Sequence, residues 1–320
     1  MRISVVIVSW NSGDYIEECL RALFDVTRGF ELDIHVVDNG SDDGTADVVA
    51  SRFPRARLIR NDRNLGFAAA NNIALRKILE ERTADDILLL NADIVVRDRA
   101  VERLVEALEA DPGAGAASPA LVLPDGKFQT GAGGALPTVR SGLAYFLFLS
   151  RFFPRLFRGF FVHQPYFAKK GRPVRLNWLS GACLLLRRTA LETVGFLDEK
   201  YFFGFEDVDF GKKMNEAGLS MLYVPAVAVT HHHGTSHRRV LKEINTEWLS
   251  LLFAYVRKEH GPVAGLAFRA SAVAGFFLRL VGRAALALFT RAPSRKERLR
   301  EAAAFFSFSL TGRGNHAINP

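Results

Sequence analysis

Asp86-Ile87-Leu88-Leu89-Leu90-Asn91-Ala92-Asp93 decides the fold, because four aliphatic residues in a row end abruptly in polar ones. A run this short reads as a buried strand, and alternation along it delivers Asn91 and Asp93 to the same side at its carboxyl end. That edge is where an open α/β sheet binds ligands. A hard divalent cation takes oxygen ligands and commonly pairs one or two carboxylates with substrate phosphates. Asp93 and Asn91 are therefore candidates for such a site; the competing reading is a polar strand terminus without chemistry.

The sequence upstream alternates short apolar runs with longer amphipathic ones, the pattern of βα units around a mainly parallel sheet. Strands are predicted over 3–9, 33–37, 56–60 and 87–90, and helices over 46–52, 67–82 and 99–110, the last stopped by Pro112 and Gly113. Asp14-Tyr15-Ile16-Glu17 looks like a capping-box entry to a further helix. Downstream, 124–137 is glycine-rich and reads as loop. The aromatic stretch 141–161 carries Arg151, Arg155 and Arg158 at the spacing of a basic stripe on one helix, kinked or restarted at Pro154. A strand over 182–187, helices over 189–194 and 206–217, and strands over 220–224 and 226–230 follow. Beyond 238 the chain reads as helical throughout.

With 320 residues, 49% hydrophobic and 24% charged, the chain can bury a substantial core as one large α/β domain or a domain with an appendage. A net charge of +8 favours polyanionic partners: nucleic acid, an anionic membrane surface or diphosphates. No RNA-recognition or helix-turn-helix signature accompanies it, so nucleic acid is not expected. Cys19 and Cys183 are the only cysteines and have no paired spacing, which argues against a disulfide scaffold or a zinc ribbon and fits a reducing cytosol. The apolar run 3–8 is too short for a signal-peptide core and reads as the first strand.

Four further segments could carry chemistry. Asp38 ends a predicted strand, where it can accept a hydrogen bond from a nucleobase or ribose, or simply close an Asx turn. Arg63 and Asn64 lie between a strand and a helix, where Arg63 and backbone N–H groups could face a diphosphate and Asn64 could instead cap the helix. Glu206-Asp207-Val208-Asp209 packs three carboxylates into four residues at a predicted helix start. Helix N-termini favour carboxylates for structural reasons alone, yet mutual repulsion with partial burial also tunes a carboxylate for proton abstraction. In His231-His232-His233, one imidazole could complete a metal site with Asp93.

In this order and spacing the segments resemble the family 2 glycosyltransferases of GT-A fold, particularly the bacterial rhamnosyltransferase-like branch. The stretches that carry the resemblance are 4–11, Val37-Asp38-Asn39-Gly40-Ser41-Asp42-Asp43-Gly44-Thr45, Arg63-Asn64-Leu65-Gly66-Phe67, Leu89-Leu90-Asn91-Ala92-Asp93, Gly181-Ala182-Cys183, 195–199 and 204–210. The resemblance implies an α/β GT-A nucleotide-diphospho-sugar transferase domain over 1–238, with nucleotide-sugar binding in 1–125 and the acceptor and catalytic part in 126–238, and a helical extension over 239–320. It implies that Asp38 and Asn64 contact the donor nucleoside with Arg63 nearby. Asn91-Ala92-Asp93 stands where the family has Asp-x-Asp, so Asp93 ligates Mg2+ or Mn2+ while Asn91 turns to ribose or a metal-bound water. Asp207 becomes the base, Glu206 its neighbour and His231 a metal ligand, with His233 as the fallback. The implied donor is dTDP-rhamnose or a UDP-sugar, and the reaction a single displacement that inverts the anomeric centre.

In the tail, Arg269, Arg279, Arg283 and Arg291 punctuate an apolar stretch and fall on one side of a helix. A spanning helix would bury Arg279 and Arg283 near its centre at about 2.5 to 3.5 kcal/mol each. The expectation is therefore an interfacial helix on the inner face of the cytoplasmic membrane, a role the aromatic stretch 141–161 could share, near a glycan or polyprenyl-diphosphate-linked acceptor. The alternative is a helix packed on the catalytic core or against a second copy in a homodimer. Two other functions compete: a nucleotidyltransferase that makes nucleotide sugars, which should open with a glycine- and basic-rich phosphate loop absent here, and a non-catalytic module for anionic lipid or nucleic acid.

Overall fold

The computed structural model describes residues 1–27, 29–82, 84–232, 246–289 and 295–312, and His233 and Arg291 lie outside them. The chain divides into two compact units, one of residues 1–134 with 164–236, the other of 135–163 with 237–320.

The first unit is a mixed sheet flanked by helices. Its strands are β1 (Arg2–Ser9), β2 (Glu31–Asp38), β3 (Arg57–Arg60), β4 (Asp86–Asn91), β5 (Ile94–Val95), β6 (Ala114–Val122), β7 (Gly133–Gly134), β8 (Val174–Leu176), β9 (Trp178–Leu179), β10 (Cys183–Arg187) and β11 (Ser220–His231). The main sheet runs β3-β2-β1-β4-β10-β6-β11-β5, with β8 on β11, while β7 pairs with β9. Strands β3, β2, β1 and β4 are parallel; β10 enters antiparallel between β4 and β6. Register sets Ser9 opposite Asp38 and Val8 opposite Asn91, so the carboxyl ends of three strands and the amino end of β10 share one edge.

The helices of this unit are α1 (Ile16–Val26), α2 (Thr45–Arg52), α3 (Phe67–Glu81) and α4 (Ala100–Glu109), followed later by α7 (Gln164–Ala168), α8 (Arg188–Val194) and α9 (Glu206–Glu216). No side chain caps α1: the N–H groups of Tyr15 and Ile16 donate to the Ser12 carbonyl, in place of the expected capping box at Asp14. Strand β6 was not foreseen, because alanine and Pro119 carry little strand propensity. A proline in a central strand removes one ladder donor, and the partner strand absorbs this: β11 shifts register between Val224 and Ala228, opposite Pro119 and Ala120. The two short strands expected over 220–230 are accordingly one bulged strand.

The second unit is helical. Thr138 and Ser141 form a reciprocal capping box on α5 (Val139–Phe146), which is followed by the single-turn α6 (Leu149–Phe152). Phe148 sits between them with φ +61, so the one continuous basic-striped helix expected over 141–161 is absent. The long helix Glu247–Phe289 breaks at Gly261 (φ 86), before Pro262, and Arg295–Thr311 follows. Helix α5 crosses the long helix closely at Gly275, where a Cβ would stand 2.5 Å from the Phe146 carbonyl oxygen. Phe146, Phe160, Phe268 and Phe276 interlock beneath that crossing, all buried. Each such ring contributes about 1.5 to 3 kcal/mol of burial.

Arg279 is turned inward. Its guanidinium donates to the Phe146 carbonyl at 2.8 Å and the Gly275 carbonyl at 3.0 Å, and lies 4.2 Å from the Phe148 ring centroid. Arg269 donates to the Ser309 and Leu310 carbonyls at 2.7 and 2.9 Å, and Arg283 reaches the Arg298 carbonyl and Glu301. The expectation that these arginines form a lipid-facing stripe is thereby corrected: they bond to backbone carbonyls within the unit, those of Phe146, Ser309 and Leu310 at helix ends.

Candidate active site

The ends of β1, β2 and β4 build one side of the site. Asp38 is buried, and its carboxylate accepts from Ser9 Oγ at 3.2 Å, Ser41 Oγ at 2.6 Å and the Ser41 N–H at 3.1 Å. It closes an Asx turn. The neighbouring Asn39, which was not singled out in the sequence, latches the next loop: it donates to Asn64 Oδ1 at 2.8 Å and accepts from Asn61 Nδ2 and the Leu65 N–H, each at 3.0 Å. Asn64 Oδ1 also takes the Gly66 N–H at 2.9 Å, so Asn64 organises this loop and is not the cap of α3, whose N-cap position is Gly66. Arg63 is exposed beside these ties.

The metal candidates meet. Asp93 Oδ1 lies 3.1 Å from His231 Nε2, because β11 pairs antiparallel with β5 and sets His231 opposite Ile94. The His232 N–H donates to the Asp93 carbonyl at 3.0 Å, fixing the strand ends together. His231 Nδ1 is 2.6 Å from Gln129 Oε1. An amide oxygen can only accept, so Nδ1 donates to Gln129, and Nε2 and Asp93 Oδ1 face each other at a separation that requires a proton or a cation between them. Gln129 was missed because nothing in the glycine-rich stretch 124–137 distinguishes it and its partner lies 102 residues away.

His232 turns elsewhere, with Nε2 3.6 Å from Glu18 and its ring beside Tyr15. Among the described residues no group of three His, Cys, Asp or Glu side chains converges. An imidazole nitrogen and a carboxylate together suit Mn2+ or Mg2+ when a substrate diphosphate supplies further oxygens. Asn91 adds a second pointer: its Oδ1 is buried and has no hydrogen-bond partner. An orphaned buried acceptor costs about 1 to 3 kcal/mol, which a bound donor group or cation would recover.

The carboxylates of α9 approach the same edge. The Asn91 N–H donates to the Ala182 carbonyl at 2.8 Å, and the residue before Ala182, Gly181, gives its backbone N–H to the Asp207 carboxylate. Asp207 also accepts from the Val208 N–H at 2.8 Å. Phe205 precedes the pair with φ +76, a strained conformation for a bulky residue of the kind concentrated at functional sites. Helix α9 is held there by close contact at Gly211, where a Cβ would meet the Asn177 carbonyl oxygen at 2.5 Å.

Burial pushes both carboxyls well above the usual range, and for Glu206 the Asp207 charge adds to it. Both carboxylates accept backbone N–H bonds, Glu206 from Gly204 and Asp207 from Val208 and Gly181, but Glu206 is the more enclosed and keeps Oε2 without a partner, whereas Asp207 is half-buried. The deeper burial of Glu206 and the neighbouring Asp207 charge favour a retained proton on Glu206 over one on Asp207. Asp209 is separate, paired with Lys213 at 3.5 Å and Lys200 at 3.7 Å.

A family model for glycosyl transferase family 2 matches residues 4–159. The N-acetylglucosaminyl-diphospho-decaprenol L-rhamnosyltransferase of Mycobacterium tuberculosis is 34% identical over 244 residues, covering 74% of this chain and 78% of that protein. Among solved structures, the mannosyltransferase PcManGT from Pyrobaculum calidifontis, in complex with GDP-Man and Mn2+, superposes with a TM-score of 0.55 at 21% identity over 98% of this chain and 88% of its own. GalNAc-T7 with UDP, GalNAc and Mn2+ gives a TM-score of 0.54 at 19% identity, over 72% of this chain and 44% of its own.

Proposed function

The chain belongs to glycosyl transferase family 2 and is a glycosyltransferase of GT-A fold, and from that premise we propose that it transfers rhamnose from dTDP-rhamnose to a polyprenyl-diphosphate-linked N-acetylglucosamine, inverting the anomeric carbon. The acceptor and donor in this reading follow the printed name of the mycobacterial relative, which this chain matches over most of both lengths. The observation that supports the chemistry is the Asp93–His231 pair just past the end of β4, with Asp207 tied through Gly181 and Ala182 to Asn91 at the end of the same strand.

In this reading Asp207 removes the proton from the acceptor hydroxyl as its oxygen attacks the anomeric carbon, and the bond to the nucleoside diphosphate breaks on the opposite face. Glu206, held protonated beside it, keeps a second negative charge away from the base. Asp93 and His231 would hold Mg2+ or Mn2+, which when bound supplies Lewis-acid stabilisation of the departing diphosphate. Asn91 binds ribose or a metal-bound water through its unpartnered Oδ1, Asp38 and the Asn64 loop seat the nucleoside, and Arg63 faces the phosphates. A lipid-linked acceptor calls for peripheral attachment to the inner face of the cytoplasmic membrane. The stretch Trp248–Ala285 is long and apolar enough to cross a membrane by length and composition, but it packs against α5 and Arg295–Thr311 within the helical unit, which supports lying at the surface over spanning.

The test is direct: the purified chain, dTDP-rhamnose, Mn2+ or Mg2+ and a short-chain polyprenyl diphosphate N-acetylglucosamine are combined, and the lipid product is weighed by mass spectrometry. Addition of one deoxyhexose is expected. Transfer from a UDP-sugar instead would replace the donor, and no transfer from any nucleotide sugar would overturn the reading.

A further inference from the structure

Within the helical unit, residues 147–158 form a surface excursion between two anchors, with Ser150 buried beneath it. At the first, Arg279 holds the Phe146 carbonyl and stacks on Phe148. At the second, Phe160 is buried, its ring 4.4 Å from Tyr145 and 5.5 Å from Phe146. What lies between is turned outward: Phe152 is 69% exposed, Phe153 54% and Leu156 69%. Arg151, Arg155 and Arg158 are exposed among them. From 135 to 163 the sequence carries four arginines and no Asp or Glu. Three large apolar side chains held in water on an anchored excursion are a cost the fold does not need for its own packing.

We propose that this excursion, α6 with the turn to Arg158, is the surface by which the chain seats on an anionic phospholipid membrane, Phe152, Phe153 and Leu156 entering the acyl boundary and the arginines lying among lipid phosphates. The inference rests on the peripheral attachment proposed above and moves it from the tail arginines to this segment. Lipid fits better than a protein groove because guanidinium groups interleave with the apolar ones on every side, which a headgroup layer satisfies at any rotation. The anchors are rigid where a membrane-inserting tip needs them, since the close α5 crossing and Arg279 fix where the excursion begins.

The experiment is co-sedimentation of the full chain with vesicles of phosphatidylcholine alone and with phosphatidylglycerol added, using wild type, F152S/F153S/L156S and R151Q/R155Q/R158Q. Wild type is expected on the anionic vesicles only, with binding reduced at least about 10-fold by the apolar triple and about 100-fold by the arginine triple. Wild type that ignores phosphatidylglycerol overturns peripheral attachment itself. Wild type that binds while the apolar triple binds equally overturns this surface alone, including the case where only the arginine triple fails, which marks a polyanion site without insertion. Since the triples can disturb folding, Phe153→Trp gives an independent readout: added emission quenched by brominated phosphatidylglycerol supports the proposal, and added emission that is unquenched overturns it.

Discussion

The sheet unit and the helical unit both bury charged and polar groups, but they treat them in opposite ways. In the helical unit Arg279 and Arg269 are each bonded to two or more backbone carbonyls, so their polar atoms complete the packing. In the sheet unit, the end of β4 and the start of α9 leave Asn91 Oδ1 and Glu206 Oε2 buried without partners, beside a strained Phe205. In the helical unit the arginines close the structure, and His163 Nδ1 is the one buried side-chain atom left without a partner among its described residues. The sheet unit holds some polar groups in reserve, and stability given up at a site of that kind is the expected mark of ligand binding and catalysis.

The strongest attack on that contrast is Asp207→Asn. If Asp207 is the base, turnover falls by at least about 100-fold while nucleotide-induced thermal stabilisation survives. Turnover within a few-fold of wild type removes it from that role. On the other side of the comparison, Arg279→Met should lower unfolding free energy by about 1.5 to 3 kcal/mol, the scale of lost hydrogen bonds to a charged group, and leave the nucleotide-induced shift unchanged. Denaturant unfolding reads the first effect. A loss of nucleotide response without a loss of stability would contradict the division of labour.

The arginines also show what a sequence hides. Arg269, Arg279 and Arg283 have the spacing of an amphipathic face, and that spacing is the same whether the partner is lipid phosphate or a helix-end carbonyl. Only tertiary placement chooses. Local pattern was decisive where burial is two-sided, as in β1 and β4, and it brought Asp93, His231 and Asp207 forward as candidates. It failed at β6, whose alanines and Pro119 have no strand signature, and at α6, where Phe148 adopts a left-handed conformation that nothing in its identity announces. Residues 135–163 pack with the C-terminal helices, while the family match continues through residue 159. Gln129 and Asn39 act through partners distant in sequence, and residue type alone does not reveal such pairs.

Gln129 offers the next test. An outer partner that fixes the tautomer of a ligating histidine typically carries 10- to 100-fold in metal affinity. Gln129→Leu should therefore raise the Mn2+ concentration needed for half-maximal nucleotide stabilisation by about 10-fold or more, with little change at saturating metal. An unchanged titration would mean that His231 does not bind the cation.

The finest test concerns the proton on Glu206. Its native carboxyl is raised above the ordinary 4.5 by burial and by Asp207, so the folded state binds a proton more tightly than the unfolded chain. The stability this confers is full below 4.5 and is lost as pH rises through the raised native value. Glu206→Gln cannot ionise and escapes the loss. The unfolding free energy of the variant relative to wild type should therefore climb with pH from acid towards neutral and alkaline conditions, by roughly 1.4 kcal/mol for each unit the native value is raised. A difference that stays flat with pH would show that Glu206 ionises as readily in the fold as outside it. In that case the retained proton sits on Asp207, and Asp207 could not serve as the base at neutral pH.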